Sequence, residues 1–400
     1  MMSRSRCRPP VSIAMAVSAC VVLLPGSVTG QSVLSAYGFG TPLEPLNARA
    51  LALGGVGMGL PGTALAPQDP SASADLVLPA VVFTSQTTWH ETTESGQLFS
   101  STSSRFPAIG VMYPVERIGT VSVSFAGVLD QNWSASQQRL LTLEGSGTQA
   151  RVTDSFESEG GVSALRVGVA RRLAPSLAVG ASVGTYLGNV ERRFTRSFDS
   201  LEVETTVPEF RTGGAWDYTG FIASLGATVD LPQVARISAS YSFGGDLRAS
   251  PTSATDGAGI TLGMPSEFRL GGSALLSDQL ALSAGIFYAD YAGAGESLDD
   301  VDGAAVLRFG AGAEWSGASV LGKRSALRFG YRAGDLPFHR ADDPQVSESA
   351  LVGGFGMNLM ETEANVIARL DLALEKGSRD SGSVAEDFWR LSVSLRVSGF

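Results

Sequence analysis

Apolar residues return at every second position in segment after segment of this chain, and no other feature restricts the fold as tightly. Val121, Val123, Phe125 and Leu129 fall on one side of such a segment, with Ser122, Ser124 and Ala126 on the other. Leu177, Val179, Ala181, Val183 and Leu187 alternate with Gly180, Ser182 and Gly184, and Leu307, Phe309, Ala311, Ala313 and Trp315 with Arg308, Gly310, Gly312 and Glu314. Near the end, Val366, Ala368, Leu370, Leu372 and Leu374 oppose Asn365, Arg369 and Asp371, and Leu391, Val393, Leu395 and Val397 oppose Ser392, Ser394, Arg396 and Ser398. Side chains of an extended chain point alternately to opposite faces. Each segment therefore predicts a strand with one apolar face and one face of small, polar and Arg residues. Candidate strands begin near residues 81, 106, 119, 161, 176, 215, 234, 266, 279, 304, 322, 349, 363 and 387, about 14 in all.

A soluble β-sandwich alternates as well, so the connections carry the distinction. Short links at 114–118, 173–175, 231–233, 276–278, 317–321 and 360–363 alternate with long polar ones at 91–105, 131–160, 190–214, 247–265, 292–303, 337–348 and 375–386. Short turns on one rim and long loops on the other is the pattern of an outer-membrane barrel. Trp89, Phe106, Trp216, Tyr288 and Trp389 fall where a strand meets a long loop, and Tyr113, Tyr241 and Trp315 lie nearer the short turns, as two interfacial girdles require. The terminal Phe400 is the kind of residue that barrel assembly machinery reads. The fold expected for residues 80–400 is all-β, a transmembrane antiparallel β-barrel of about 14 strands, set among outer-membrane lipids. No later run of 18 or more apolar residues offers a spanning helix.

Composition agrees. The chain has 48 Gly, 17% charged residues and only two Lys, Lys323 and Lys376, which is poor for exposed soluble helices. Arg4, Arg6 and Arg8 precede an apolar run from Val11 to Leu24 and small residues up to Gly30, which predicts a secretory signal peptide over residues 1–30 cut near Gly30. Val17-Ser18-Ala19-Cys20 also has the form of a lipobox, which would leave a lipid-anchored Cys20. Both cysteines, Cys7 and Cys20, lie in this leader, so disulfide and Cys-metal chemistry are not expected of the mature chain. Removal of the leader takes the 29 basic residues to 26 against 39 acidic ones, a net charge of −13 that disfavours nucleic acid as a partner.

Between leader and barrel, Ala50-Leu51-Ala52-Leu53-Gly54-Gly55-Val56-Gly57-Met58-Gly59 fits neither helix nor strand. Glycine at alternate positions suits backbone pressed against a wall. Residues 31–79 are expected to fold as an N-terminal hatch in the lumen. Arg49-Ala50-Leu51-Ala52-Leu53-Gly54-Gly55-Val56-Gly57-Met58 resembles the opening hatch motif of the FadL-like outer-membrane barrels, a superfamily that includes hydrocarbon transporters and PorV-type secretion proteins. Asp69-Pro70-Ser71-Ala72 stands where that family has an Asn-Pro-Ala element, with Asp in place of Asn. Val82 to Trp89 resembles the first strand that follows. The resemblance implies the outer membrane of a Gram-negative-type bacterium, passive uptake of a hydrophobic or amphipathic small molecule, and an exit opened by hatch rearrangement or a kink in one strand. It is equally compatible with a PorV-like scaffold for secreted proteins, and a purely structural barrel stays open.

The chemistry is sparse. His90 and His339 are the only histidines, each placed at or in a predicted loop and read as exposed, with no Gly-x-Ser-x-Gly elbow beside them, so an enzyme is not expected. Gly55-Val56-Gly57-Met58-Gly59 lacks the strand, helix and spacing of a dinucleotide site. Acidic runs at Asp299-Asp300-Val301-Asp302 and Asp342-Asp343 read as solvated loop tips rather than a Ca²⁺ site, and neither metal nor cofactor is expected. The inward face carries more information. Arg166, Arg236, Arg269, Arg308, Arg328, Arg332, Arg369, Arg390 and Arg396 all oppose the apolar stripe, and buried guanidinium groups need partners. Glu314 and Asp371 on strands, and Glu44, Asp69 and Asp75 on the hatch, are available. Two readings follow: a network that pins the hatch to the wall, or a subset such as Arg308 and Arg369 that receives a ligand carboxylate. Leu51, Leu53, Val56 and Met58 either pack the hatch or line an apolar pocket.

Overall fold

The structure, a computed structural model, describes residues 32–399 apart from residues 37, 45, 63–64, 95–96, 143–148, 200–208, 232–233, 256–257, 296–300 and 364. The expected leader with Cys7 and Cys20, its cut near Gly30, Asp299 and Asp300, and Phe400 lie outside the described residues. Fourteen strands form the wall: β1 Ala80–Glu94, β2 Gln97–Val115, β3 Gly119–Asp130, β4 Gln149–Ala174, β5 Leu177–Asp199, β6 Phe210–Leu231, β7 Ala235–Gly244, β8 Glu267–Leu275, β9 Leu280–Asp290, β10 Ala305–Val320, β11 Lys323–Asp335, β12 Ser347–Glu361, β13 Val366–Asp380 and β14 Val384–Ser398. Each pairs antiparallel with its sequence neighbours. β14 then pairs back onto β1, from Ala80↔Ser398 to Glu94↔Val384. The ladder closes on itself, which removes the sheet edges that an open sheet would leave in lipid.

The pleat sorts the residues as the alternation requires. Phe125, Phe309, Phe329 and Leu374 are exposed on the outside, while Arg166, Arg328, Arg332 and Arg390 are buried within. Trp89, Phe106, Tyr113, Tyr241, Tyr288, Trp315 and Trp389 face outward. Trp216 does not. It shares parity with the buried Tyr218 and Ile222 and packs against the apolar cluster they belong to, so its place near a strand end did not make it a girdle residue. Leu129 also departs from its expected face. The β3–β4 register shifts between Gly127 and Leu129, and this bulge turns Leu129 inward to 2% exposure.

Four of the links expected to be loops, 91–105, 131–160, 190–214 and 375–386, are largely strand. β4 runs for 26 residues, β5 for 23 and β6 for 22, where a membrane crossing takes about 9–11. An additional strand, Trp133–Thr142, pairs with β4 from Trp133↔Ser158 to Thr142↔Gln149. Together they raise a ribbon above the wall. Outside lipid a ribbon needs no apolar face, so the alternation that reveals the membrane part is missing there. His90 is corrected for the same reason: it lies within β1, 6% exposed, rather than in an exposed loop.

Candidate lumenal site

Residues of the N-terminal segment meet the inward-facing positions of the wall. Its helix, Ala48–Ala52, is far too short to stand alone. Asn47 Oδ1 accepts from Ala50 N at 2.9 Å, and Ala48 N donates to Ser394 Oγ at 2.8 Å. Leu46, Ala50 and Leu51 pack with Val352 of β12 and Ala373 of β13. The chain then approaches the wall so closely that glycine is required on both sides. Gly54 has φ +79°, and a Cβ there would sit 2.4 Å from the Tyr331 carbonyl oxygen; a Cβ on Gly310 would sit 1.9 Å from the Gly54 carbonyl oxygen. Gly55 lies beside Arg332 and Glu44, and Gly57 against Gln68 and Leu46.

Asp69 and Pro70 open a short 3-10 turn, Pro70–Ser73. The Asp69 carboxylate accepts from Ser71 N at 3.1 Å, Ser71 Oγ at 2.6 Å and Ser238 Oγ at 2.5 Å. This corrects the expectation of an arginine partner: hydroxyl groups on the turn and on β7 satisfy it instead. The other two carboxylates of the N-terminal segment do take guanidinium groups. Glu44 Oε1 accepts from Arg308 Nη1 at 2.9 Å, and Asp75 is bridged by Arg172 at 2.6 Å through both oxygens, with Arg236 at 3.4 Å. Arg49 completes the set, donating to Glu314 at 2.8 and 2.6 Å. Glu314 also takes Arg328 at 2.5 Å, and Arg328 and Arg369 share Asp371 at 2.9 and 3.1 Å.

Sequence reasoning missed a second network nearer the long-loop side. Arg332 bridges Glu348 at 2.8 Å and Glu375 at 2.5 Å, Arg379 bridges Glu348 at 2.6 Å and Glu386 at 2.8 Å, and His90 Nδ1 lies 3.2 Å from Glu386. Glu348, Glu375 and Glu386 stood in or at predicted loops. Their parity was the available signal, because Glu375 continues the face of Asp371 and Glu386 that of Arg390.

Leu51, Leu53, Val56 and Met58 are all buried. Leu53 lies on Gly312 and Gly330, Val56 on Gly285, and Met58 on Gly271. Val56 and Met58 border a cavity, a space of about 50 Å³ shared with Glu44, Gln68, Arg308 and Arg332. Arg369 lines a different cavity, of about 430 Å³, at the short-turn rim, so the structure does not bring Arg308 and Arg369 together. Beside the second network, the long-loop side of the lumen also carries an apolar sector. Leu34 and Phe39 of the N-terminal segment, Tyr186, Ile222 and Phe287 of the wall, and Leu336 and Phe338 beyond β11 form one buried cluster. Beside it the wall is incomplete. β2 pairs with β3 only from Ala108↔Ala126 to Val115↔Gly119, and beyond that point Leu129 and Asp130 pair with Pro42 and Thr41. Arg105 reaches Asp130 across this place at 3.4 Å. Among the described residues no group of three or more His, Cys, Asp or Glu is placed to hold a metal.

A family model described as BamG matches residues 11–254. Among solved structures, the Pseudomonas putida toluene transporter TodX is 15% identical, with 89% of this chain and 99% of that chain covered and a TM-score of 0.58. A Pseudomonas aeruginosa FadL homologue is 10% identical, with 91% and 100% covered and a TM-score of 0.59. The CymD monoaromatic hydrocarbon channel is 15% identical, with 92% and 99% covered and a TM-score of 0.50. No curated protein matches.

Proposed function

This chain belongs to the BamG family and has the fold of the FadL-like outer-membrane barrels, and from that premise we propose that it admits hydrophobic or amphipathic small molecules passively. The supporting observation is the buried apolar cluster on the long-loop side of the lumen, around Phe39, Phe287 and Phe338, since a barrel that serves as a water-filled pore has a polar interior throughout. In this reading the ligand replaces side-chain packing around Phe338 and Phe287. The incomplete β2–β3 ladder gives it a sideways path, and the hatch gates what remains. The hydrocarbon-channel neighbours favour the same class of cargo and a transport rather than an enzymatic role. Cells whose outer membrane carries the protein should accumulate a labelled alkane faster than cells carrying Phe338→Asp at equal heat-modifiable migration on gels. Equal rates in both, and in cells without the protein, would overturn the proposal.

A second reading, a PorV-like scaffold for other proteins, is favoured by the ribbon and by the BamG match. Phe156, Phe194 and Phe210 form a cross-strand aromatic stripe on it, with ring centroids 4.8 and 6.2 Å apart, and Phe156 and Phe210 are exposed. The partners to look for are secretion-system proteins and the barrel assembly machinery. Mild-detergent purification from native outer membranes with mass spectrometry separates the readings. A near-stoichiometric hydrophobic molecule supports uptake, and a co-purifying protein with no ligand supports the scaffold.

A further inference from the structure

Arg166 of β4 is 8% exposed, and among the described residues neither its Nε nor its Nη1 has a hydrogen-bond partner. The charged side chains that bear on it are Glu267 and Arg269 of β8, and these two pair with each other at 2.5 Å. A guanidinium carries donors only, so a buried one is unfavourable until an acceptor meets it.

The wall around it is built from small polar residues. Ser124 of β3 and Gly184 of β5 stand opposite Arg166, and Ser122 and Ser182 stand opposite Gly168, two residues along the same face. Arg166, Ser122, Ser124, Gly168 and Ser182 face residues 65–73 of the N-terminal segment across a cavity of about 20 Å³. Gly168 leaves the floor bare, since a Cβ there would lie 2.9 Å from Ser122 Oγ. Ser182 Oγ is buried and, like the guanidinium, is without a partner among the described residues. Asp69 is the acid on this lining. Its Oδ1 accepts from Ser71 and its Oδ2 from Ser238, and it is not among the charges that bear on Arg166.

We propose that this cavity binds one small inorganic anion, with chloride as the test case, held by Arg166 Nε and Nη1 and by the Ser182 hydroxyl. The volume suits a sphere of about the size of water and excludes an organic acid. A water could accept from the same donors, but it would leave the buried charge of Arg166 uncompensated; a monatomic anion meets both needs. The ion lies between β4 and the N-terminal segment, so its binding favours the folded, seated arrangement. The site goes beyond the uptake reading and stands or falls without it.

The test is the urea midpoint of unfolding of the full chain from lipid vesicles, with sodium chloride exchanged for sodium gluconate at constant ionic strength. Gluconate has the same charge and is far too large for the cavity. A ligand of the folded state alone shifts the equilibrium in proportion to its concentration, so above the dissociation constant each tenfold rise in chloride should raise the folding constant about tenfold. Arg166→Gln should abolish this dependence. Ser182→Ala removes one donor and no charge, and should move the onset to about tenfold higher chloride. In crystals of the barrel soaked in sodium bromide, an anomalous peak within hydrogen-bond distance of Arg166 and Ser182 supports the site. A wild-type midpoint indifferent to chloride overturns it, as does a dependence that survives in Arg166→Gln. A bromide peak without the chloride dependence is binding at crystal concentration only and also overturns it. Should Arg166→Gln fail to fold, the wild-type titration and Ser182→Ala decide the matter: an onset unmoved by Ser182→Ala overturns the site.

Discussion

Glu314 accepts from Arg49 of the hatch and Arg328 of β11 at once, so its loss leaves two guanidinium groups in a confined space with one acceptor fewer. Both partners are largely buried, and removing one member of such a set costs much more than an exposed pair is worth. Glu314→Gln should lower stability by about 2–4 kcal/mol, read as a shift in the urea midpoint of unfolding from lipid vesicles. An unchanged midpoint would show that the hatch is not anchored there. Gly310 tests the same seat through shape instead of charge. A Cβ at Gly310 would lie 1.9 Å from the Gly54 carbonyl oxygen, and both positions are backbone that cannot swing away. Gly310→Ala should unseat this stretch and raise single-channel conductance in planar bilayers, and a silent variant would mean the hatch does not close the pore. The alternating glycines made this close approach legible in the sequence, though which wall glycines receive them was not.

At the scale of elements, the N-terminal segment is held to the wall at both ends. Glu44 and Arg49 tie its beginning to β10, and Asp75 ties its end to β4 through Arg172. The paired hydrogen bonds from Arg172 hold the Asp75 carboxylate below its usual range, against the opposing effect of burial. Because the folded-state value is the lower one, this tether contributes fully above the ordinary carboxylate range, near about pH 4, and is lost as the pH falls through the depressed value. A spin label on Val77→Cys should therefore gain mobility on acidification below that range. In Asp75→Asn it should be mobile throughout, and a label indifferent to both changes would dissociate Asp75 from the tether. Strand starts were readable wherever an apolar face meets lipid, as at β3, β5 and β8. The ribbon of β4 to β6 was not, because strands paired in water carry no such face.

For the whole molecule, short turns on one rim and long strands on the other predict an orientation with the ribbon outside and the short turns toward the periplasm. Gln137 on the ribbon strand and Asp278 in the β8–β9 turn are both exposed. The described residues carry no cysteine, so a membrane-impermeant maleimide should label Gln137→Cys on intact cells. Asp278→Cys should react only after the outer membrane is opened, and the reverse pattern would invert the barrel.

The sequence by itself determined the barrel, because a period of two with lipid outside leaves no other arrangement for so many apolar faces. It also determined that the inward arginines need acids. Which acids they meet was decided only by closure and register. Glu314 and Arg49 are far apart in the chain, and Glu348, Glu375 and Glu386 look like loop residues until their strands are paired to full length. The same holds for the lumen's two characters. Its apolar cluster and its buried ion-pair networks are each assembled from several strands and the N-terminal segment, and proximity across a barrel is a property of the fold that no local pattern records.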